Sequence, residues 1–193
     1  RGDESIYRKA DREESLVQLM RVNLLKRMES SVVAFALTLE RQLKDVDLLL
    51  HRIDNHEESI EEISLADIDF DDPALEPLIV GTKVKVLLKD VDLIRWRQDL
   101  ALDRNRLDTL LAAARQITPD RDAKLKFLKD TIAAKLAAPI NSGNRKTLLF
   151  SASADTVDYL YQQLAPWALR QHGIHTAQVT GTGAIKTTLP KLH

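Results

Sequence analysis

The stretch NRKTLLFSASADTVDYLYQQL, residues 144–164, holds the side chains best placed for chemistry. An apolar run, Thr147-Leu148-Leu149-Phe150, gives way to small residues, Ser151-Ala152-Ser153-Ala154, and a helical pattern follows at once. A turn that leads from a strand into a helix suits a phosphate. The first backbone N–H groups of the helix have no partner of their own, and the helix dipole favours negative charge there. Ser151, Ser153 and Thr156 add hydroxyls, while Arg145 and Lys146 lie at the far end of the strand. A second strand at 175–180 ends on Thr180-Gly181. Parallel pairing with 146–150 would bring Thr180 and Gly181 to the same sheet edge as the turn. Asp155 opposes this reading, because a carboxylate repels a phosphate, so its side chain is expected to turn inward or to cap the helix.

The turn carries no glycine, and G-x-x-x-x-G-K-[ST] occurs nowhere in the chain, so nothing here cradles the phosphates of ATP. Gly181-Thr182-Gly183 follows a strand but does not complete a dinucleotide fingerprint. His172 and His175 form no triad with the serines by spacing. His51 and His56 read as exposed histidines at a helix end. The acidic run from Glu57 to Asp72 lacks the glycine of a calcium loop and reads as solvated. No catalytic residue is identified.

The whole composition narrows the classes further. The 193 residues carry a formal charge of -1, so any nucleic-acid contact must come from local basic patches. There are no cysteines, which excludes a disulfide scaffold and suits a cytoplasmic protein. No apolar run approaches the length of a membrane span. The abrupt start and the polar stretch from Lys186 to His193 suggest a piece of a longer protein, with the last histidine from a tag.

The elements that must position the turn are mostly helices. Apolar residues from Leu16 through Leu24, Phe35, Leu39 and Leu50 to Ile53 recur at spacings of three and four, which predicts one long helix over 11–53. Residues 55–77 are predicted to be disordered or weakly ordered, and 82–88, which alternates Lys and Val, to be a short strand. A helix over 90–117, capped by Asp90 or Asp92, is followed by another that starts at Thr118-Pro119 and stops at Pro139. Both are expected to pack on the long helix. Asp155 or Thr156 is expected to cap the helix from about 155 to 171, which closes at His172-Gly173. The fold class is therefore mixed α/β and predominantly helical, a long-helix bundle followed by a parallel β-α-β unit.

Four blocks in series carry a family resemblance: LMRVNLLKRMESSVVAFALTLERQL (19–43), KVKVLLKDVDLIRWRQDL (83–100), RDAKLKFLKDTIAAKLAAPINSGNRKTLLFSASADTVDYLYQQLAPW (121–167) and HTAQVTGTGAIKTTL (175–189). Together they resemble bacterial Swi/Snf-type superfamily-two helicase-like ATPases. The most specific block, 144–164, looks like helicase motif IV, the first strand and helix of the second RecA-like lobe. The resemblance implies a connector over 1–54, an acidic variable insertion at 55–81, inter-lobe helices over 82–143, and a truncated start of lobe two over 144–193.

It also implies that the parent is an ATP hydrolase that uses magnesium and double-stranded DNA. Ser151, Ser153, Thr156, Thr180 and Gly181 would face the DNA backbone, and the helical region could meet other proteins. The glycine-rich motif V and the arginine-bearing motif VI do not follow, so this chain should need no cofactor and hydrolyse no ATP by itself. A second class stays open, a stand-alone helical interaction module without nucleotide chemistry.

Overall fold

The computed structural model describes residues 3–55, 62–64, 85–87, 92–181 and 185–190. Five helices and four short strands occur among them: α1 Asp3–Ser30, α2 Val32–Asp54, β1 Glu62–Ser64, β2 Lys85–Leu87, α3 Leu93–Arg115, α4 Ala123–Ala137, α5 Ala154–His172, β3 Ala177–Gln178 and β4 Lys186–Thr187. The predominantly helical reading holds. None of the described helices is long and apolar enough to cross a membrane.

The chain forms two compact units, Arg1–Leu25 with Leu37–Ala112, and Lys26–Ala36 with Ala113–His193. In the first unit, Leu49 and Ile53 of α2 pack against Leu93, Trp96 and Leu100 of α3. Apolar residues four apart share a helix face, so each helix offers one stripe to the other. Arg97 to Asp54 and Arg104 to Asp47 add exposed ion pairs along the contact. Asp92 accepts the Arg95 N–H and starts α3. β1 and β2 pair antiparallel, with Ile63 opposite Val86. The expected strand at 82–88 is thus present over 85–87, and 62–64 forms a strand within the segment expected to be disordered or weakly ordered. The rest of that segment, apart from Asn55, lies outside the described residues.

In the second unit, Leu125, Tyr159 and Leu164 form a core lined by Val33, Leu128, Ile132, Leu160 and Trp167. The start of α2 therefore packs on α4 and α5, and α2 meets a different neighbour in each unit, as its wide apolar surface requires.

Three boundaries depart from expectation. The predicted single helix over 11–53 is two, broken at Ser31. The break is slight, because Ser31 N–H still bonds the Arg27 carbonyl and the Ser31 carbonyl still accepts from Phe35. The Ser31 hydroxyl competes for the backbone by accepting from Ala34 N–H, the habit that makes serine a cap rather than a helix-interior residue. The fourth helix starts at Asp122 rather than Thr118-Pro119. Asp122 Oδ1 accepts from Leu125 N–H at 2.9 Å, and 118–121 closes as a turn instead. A carboxylate cap near Tyr159 outcompetes the Thr-Pro signal. α5 is capped one turn earlier than Thr156, by Ser153, and ends on Gly173 at φ 62. That left-handed conformation is the one glycine adopts at low cost. Pro166 lies inside α5, where it withdraws the N–H that would bond the Gln162 carbonyl.

The largest correction concerns the sheet. The expected parallel pairing of 146–150 with 175–180 is not observed. Residues 144–150 are assigned to no strand, and β3 pairs antiparallel with β4, Ala177 opposite Thr187. Parallel pairing needs a long crossover and, in practice, further strands. An antiparallel return needs only a short loop, and Lys186-Thr187 supplies the partner. The stretch read as a polar tail thus contributes a strand at its start.

Candidate nucleic-acid interface

The turn before α5 is built from its own hydroxyls. Ser151 Oγ accepts from Ser153 N–H at 3.2 Å, and Ser153 Oγ accepts from Thr156 N–H at 3.4 Å. Ser153 is the N-cap, so one of the free donors of the first helical turn is already satisfied by the protein. Thr156 is buried, and its hydroxyl shares a 2.9 Å hydrogen bond with Ser30 at the end of α1. Asp155 turns to Arg27 of α1, at 3.2 Å. That is the inward alternative expected for its carboxylate, and it removes the negative side chain from the mouth of the turn.

The five candidate residues therefore stand differently. Ser151 and Ser153 are half-buried at the turn, Thr156 is inside, Thr180 is half-buried at the end of the segment after β3, and Gly181 is exposed. Added bulk at Gly181 would meet open space, since nothing lies within 4 Å of an added Cβ there. The backbone N–H of Ala154, at the start of α5, is the donor best placed for a phosphate. No group of histidines, aspartates and glutamates that could hold a metal occurs among the described residues.

Sequence reasoning missed the contribution of α1. Arg27 and Ser30 fix Asp155 and Thr156 from more than a hundred residues away. Nothing local marks that contact, because the pairing exists only once α1 and α5 are packed. Asp122 is a second missed link. Its Oδ2 accepts the Tyr159 hydroxyl at 2.8 Å while Oδ1 caps α4, so one carboxylate joins α4 to α5. Burial, and then this hydrogen bond to Asp122, raise the Tyr159 phenol well above its ordinary range.

The β3–β4 hairpin is held to α5 by Asp158. It accepts from Lys186 and from Gln178 Nε2, and both bonds lower its carboxyl below the usual value, the Lys186 bond most. His175, read as a rim residue, contacts Thr188 across the same hairpin, with Nδ1 at 2.9 Å from the carbonyl oxygen. His51 sits beside Asn55, and His56 lies outside the described residues. His172 meets the edge of Trp167 at 4.8 Å between ring centres. These two rings line an open cleft of about 330 Å³ together with Lys126 and Lys129 of α4.

No protein-family model matches the chain, and no curated protein or solved structure matches it.

Proposed function

We propose that this chain is part of a DNA-stimulated ATPase of the Swi/Snf type, contributing inter-lobe helices and the motif IV strand-turn-helix. The observation that carries the reading is the state of Leu148 and Phe150, which are 81% and 92% exposed immediately before a Ser153-capped helix. An exposed apolar segment before a helix would become an inner strand if neighbouring strands were supplied by other sequence. A Swi/Snf-type second lobe would supply them. In the parent, ATP and magnesium would bind between two lobes, and closure would move the lobes along duplex DNA. The turn at Ser151–Asp155 would hold a backbone phosphate through the Ala154 N–H and the Ser151 and Ser153 hydroxyls. Such contacts position DNA without reading its sequence.

Substituting Ser153 by Asp tests the phosphate role. Asp keeps the capping acceptor but adds a negative charge, so the helix survives while phosphate is repelled. In the complete gene product, Ser153→Asp is expected to weaken duplex affinity evenly across sequences. Unchanged affinity and salt dependence would leave the turn a packing device.

A further inference from the structure

α5 carries the Ser153-capped turn at its start and, at its end, one wall of an open cleft of about 330 Å³. That wall is Trp167, Gln171 and His172. The facing wall follows from helical spacing: Lys126, Lys129, Asp130 and Ala133 of α4 recur at three and four residues, so they share one face. Pro119 and Asp120, in the turn before α4, complete the cleft. All of these residues belong to the unit made of Lys26–Ala36 and Ala113–His193.

The charges of the cleft balance without being spent on one another. Lys126 precedes Asp130 by about one helical turn, the less favourable order for an ion pair, and neither has a hydrogen bond or ion pair among the described residues. The Lys129 ammonium lies 5.9 Å from the Trp167 ring centre. Asp120 accepts from the Thr118 hydroxyl, which lowers its carboxyl, and it stays exposed. Two ammoniums and two carboxylates cancel, so a simple anion or a simple cation is drawn by one pair and repelled by the other. Pro119, Leu125 and Ala133 add an apolar lining. The Nε2 atom of His172 is buried and has no hydrogen-bond partner, a rare condition that a bound ligand group relieves.

We propose that this cleft binds a small zwitterion with an apolar side chain, of the α-amino acid class. Its carboxylate meets Lys126 and Lys129, its ammonium meets Asp130 and Asp120, and its side chain lies against Leu125 and Trp167. The two charged groups of an α-amino acid share one carbon. Lys126 and Asp130 stand about 5–6 Å apart at Cβ, so one end of the ligand reaches both. The cleft is at the small end of the range for small-molecule sites, which suits a ligand of this size. The inference is independent of the ATPase reading: it uses no residue of the turn before α5 and needs neither nucleotide nor DNA.

The test is an NMR titration of the isotope-labelled 193-residue chain with L-phenylalanine, read at the tryptophan indole N–H signals. The chain has two tryptophans, and Trp96 packs against α2 in the other unit, so its signal is the internal reference. The Trp167 signal is expected to shift saturably below about 10 mM ligand while the Trp96 signal stays in place. Phenylpropanoate, which lacks the ammonium, and phenethylamine, which lacks the carboxylate, should each bind at least about tenfold more weakly. Lys126→Gln and Asp130→Asn, both at exposed positions, should each weaken L-phenylalanine about fivefold with the rest of the spectrum unchanged. Either variant decides the matter if the other does not fold. No saturable shift of Trp167 up to about 10 mM, equal binding of the acid or the amine, or undiminished affinity in either folded variant would overturn the proposal. So would a shift shared equally by Trp96. ATP hydrolysis by the complete gene product bears on none of these outcomes.

Discussion

Arg27 Nη1 lies 3.2 Å from Asp155 Oδ2, and each side chain is only 19% exposed. The two residues are 128 positions apart, so this contact is a product of the fold rather than of local sequence. Beside it, Ser30 and Thr156 share their hydroxyls. The last turn of α1 thus sets the first turn of α5, the element proposed to meet a phosphate.

A double-mutant cycle measures that link. Arg27→Ala and Asp155→Ala, alone and together, should give a coupling of about 1 kcal/mol in unfolding free energy, above the value for an exposed pair because both groups are mostly shielded. Additive effects would mean that α1 does not brace the turn.

Ser153 separates the structural role of the turn from its proposed binding role. Ser153→Ala should cost about 1 kcal/mol of stability through the lost cap, and Ser153→Asp should restore it. Thermal unfolding of the two variants checks this. Equal losses in both would mean that the 3.4 Å bond to Thr156 N–H contributes nothing.

Much of the helical content was legible because burying a stripe imposes a period that sequence displays. Ile53 facing Leu93, Trp96 and Leu100 follows from that spacing, but the residue buried beside it is Leu49 rather than the expected Leu50. Capping was less legible. Thr118-Pro119 and Asp122 are both sound start signals four residues apart, and only the Tyr159 hydroxyl, distant in sequence, favours Asp122. The strands were least legible. Segments of two or three residues carry no period, and the choice between parallel and antiparallel pairing rests on partners, not on the strand itself. Within the candidate site, the hydroxyls at 151, 153 and 156 could be named but not their commitments. Thr156 looks like a first-turn donor in sequence and is inside the protein in the fold.

Leu39 is 1% exposed and is the largest side chain among the described residues to be so fully buried. Leu39→Ala should cost about 2–5 kcal/mol, and Leu39→Asp should unfold the chain, because an unpaired carboxylate cannot be accommodated there. Wild-type melting of Leu39→Asp would contradict the burial.

The hairpin at β3–β4 should be sensitive to acid. Asp158 has a lowered carboxyl pKa, with the Lys186 bond as the first cause and Gln178 as the second. A group lowered in the folded state stabilises it fully above the unfolded value, about 3.9, and loses that contribution as pH falls through the lower folded value. Asp158→Asn should therefore lower stability by a constant amount above about pH 4 and flatten the acid limb below it, where the difference between the two proteins closes. Hydrogen exchange at Ala177 and Gln178 against pH would show the same loss locally. An acid limb identical in the two proteins would mean that Asp158 does not hold the hairpin.

ATP hydrolysis by the complete gene product, measured with and without duplex DNA, decides the proposed function. Turnover that requires magnesium and rises on addition of DNA is the expected result, while the 193-residue chain, which contains no phosphate loop, should give none under either condition. A complete product that binds no ATP and hydrolyses none with DNA present would contradict the assignment and favour a helical interaction module instead.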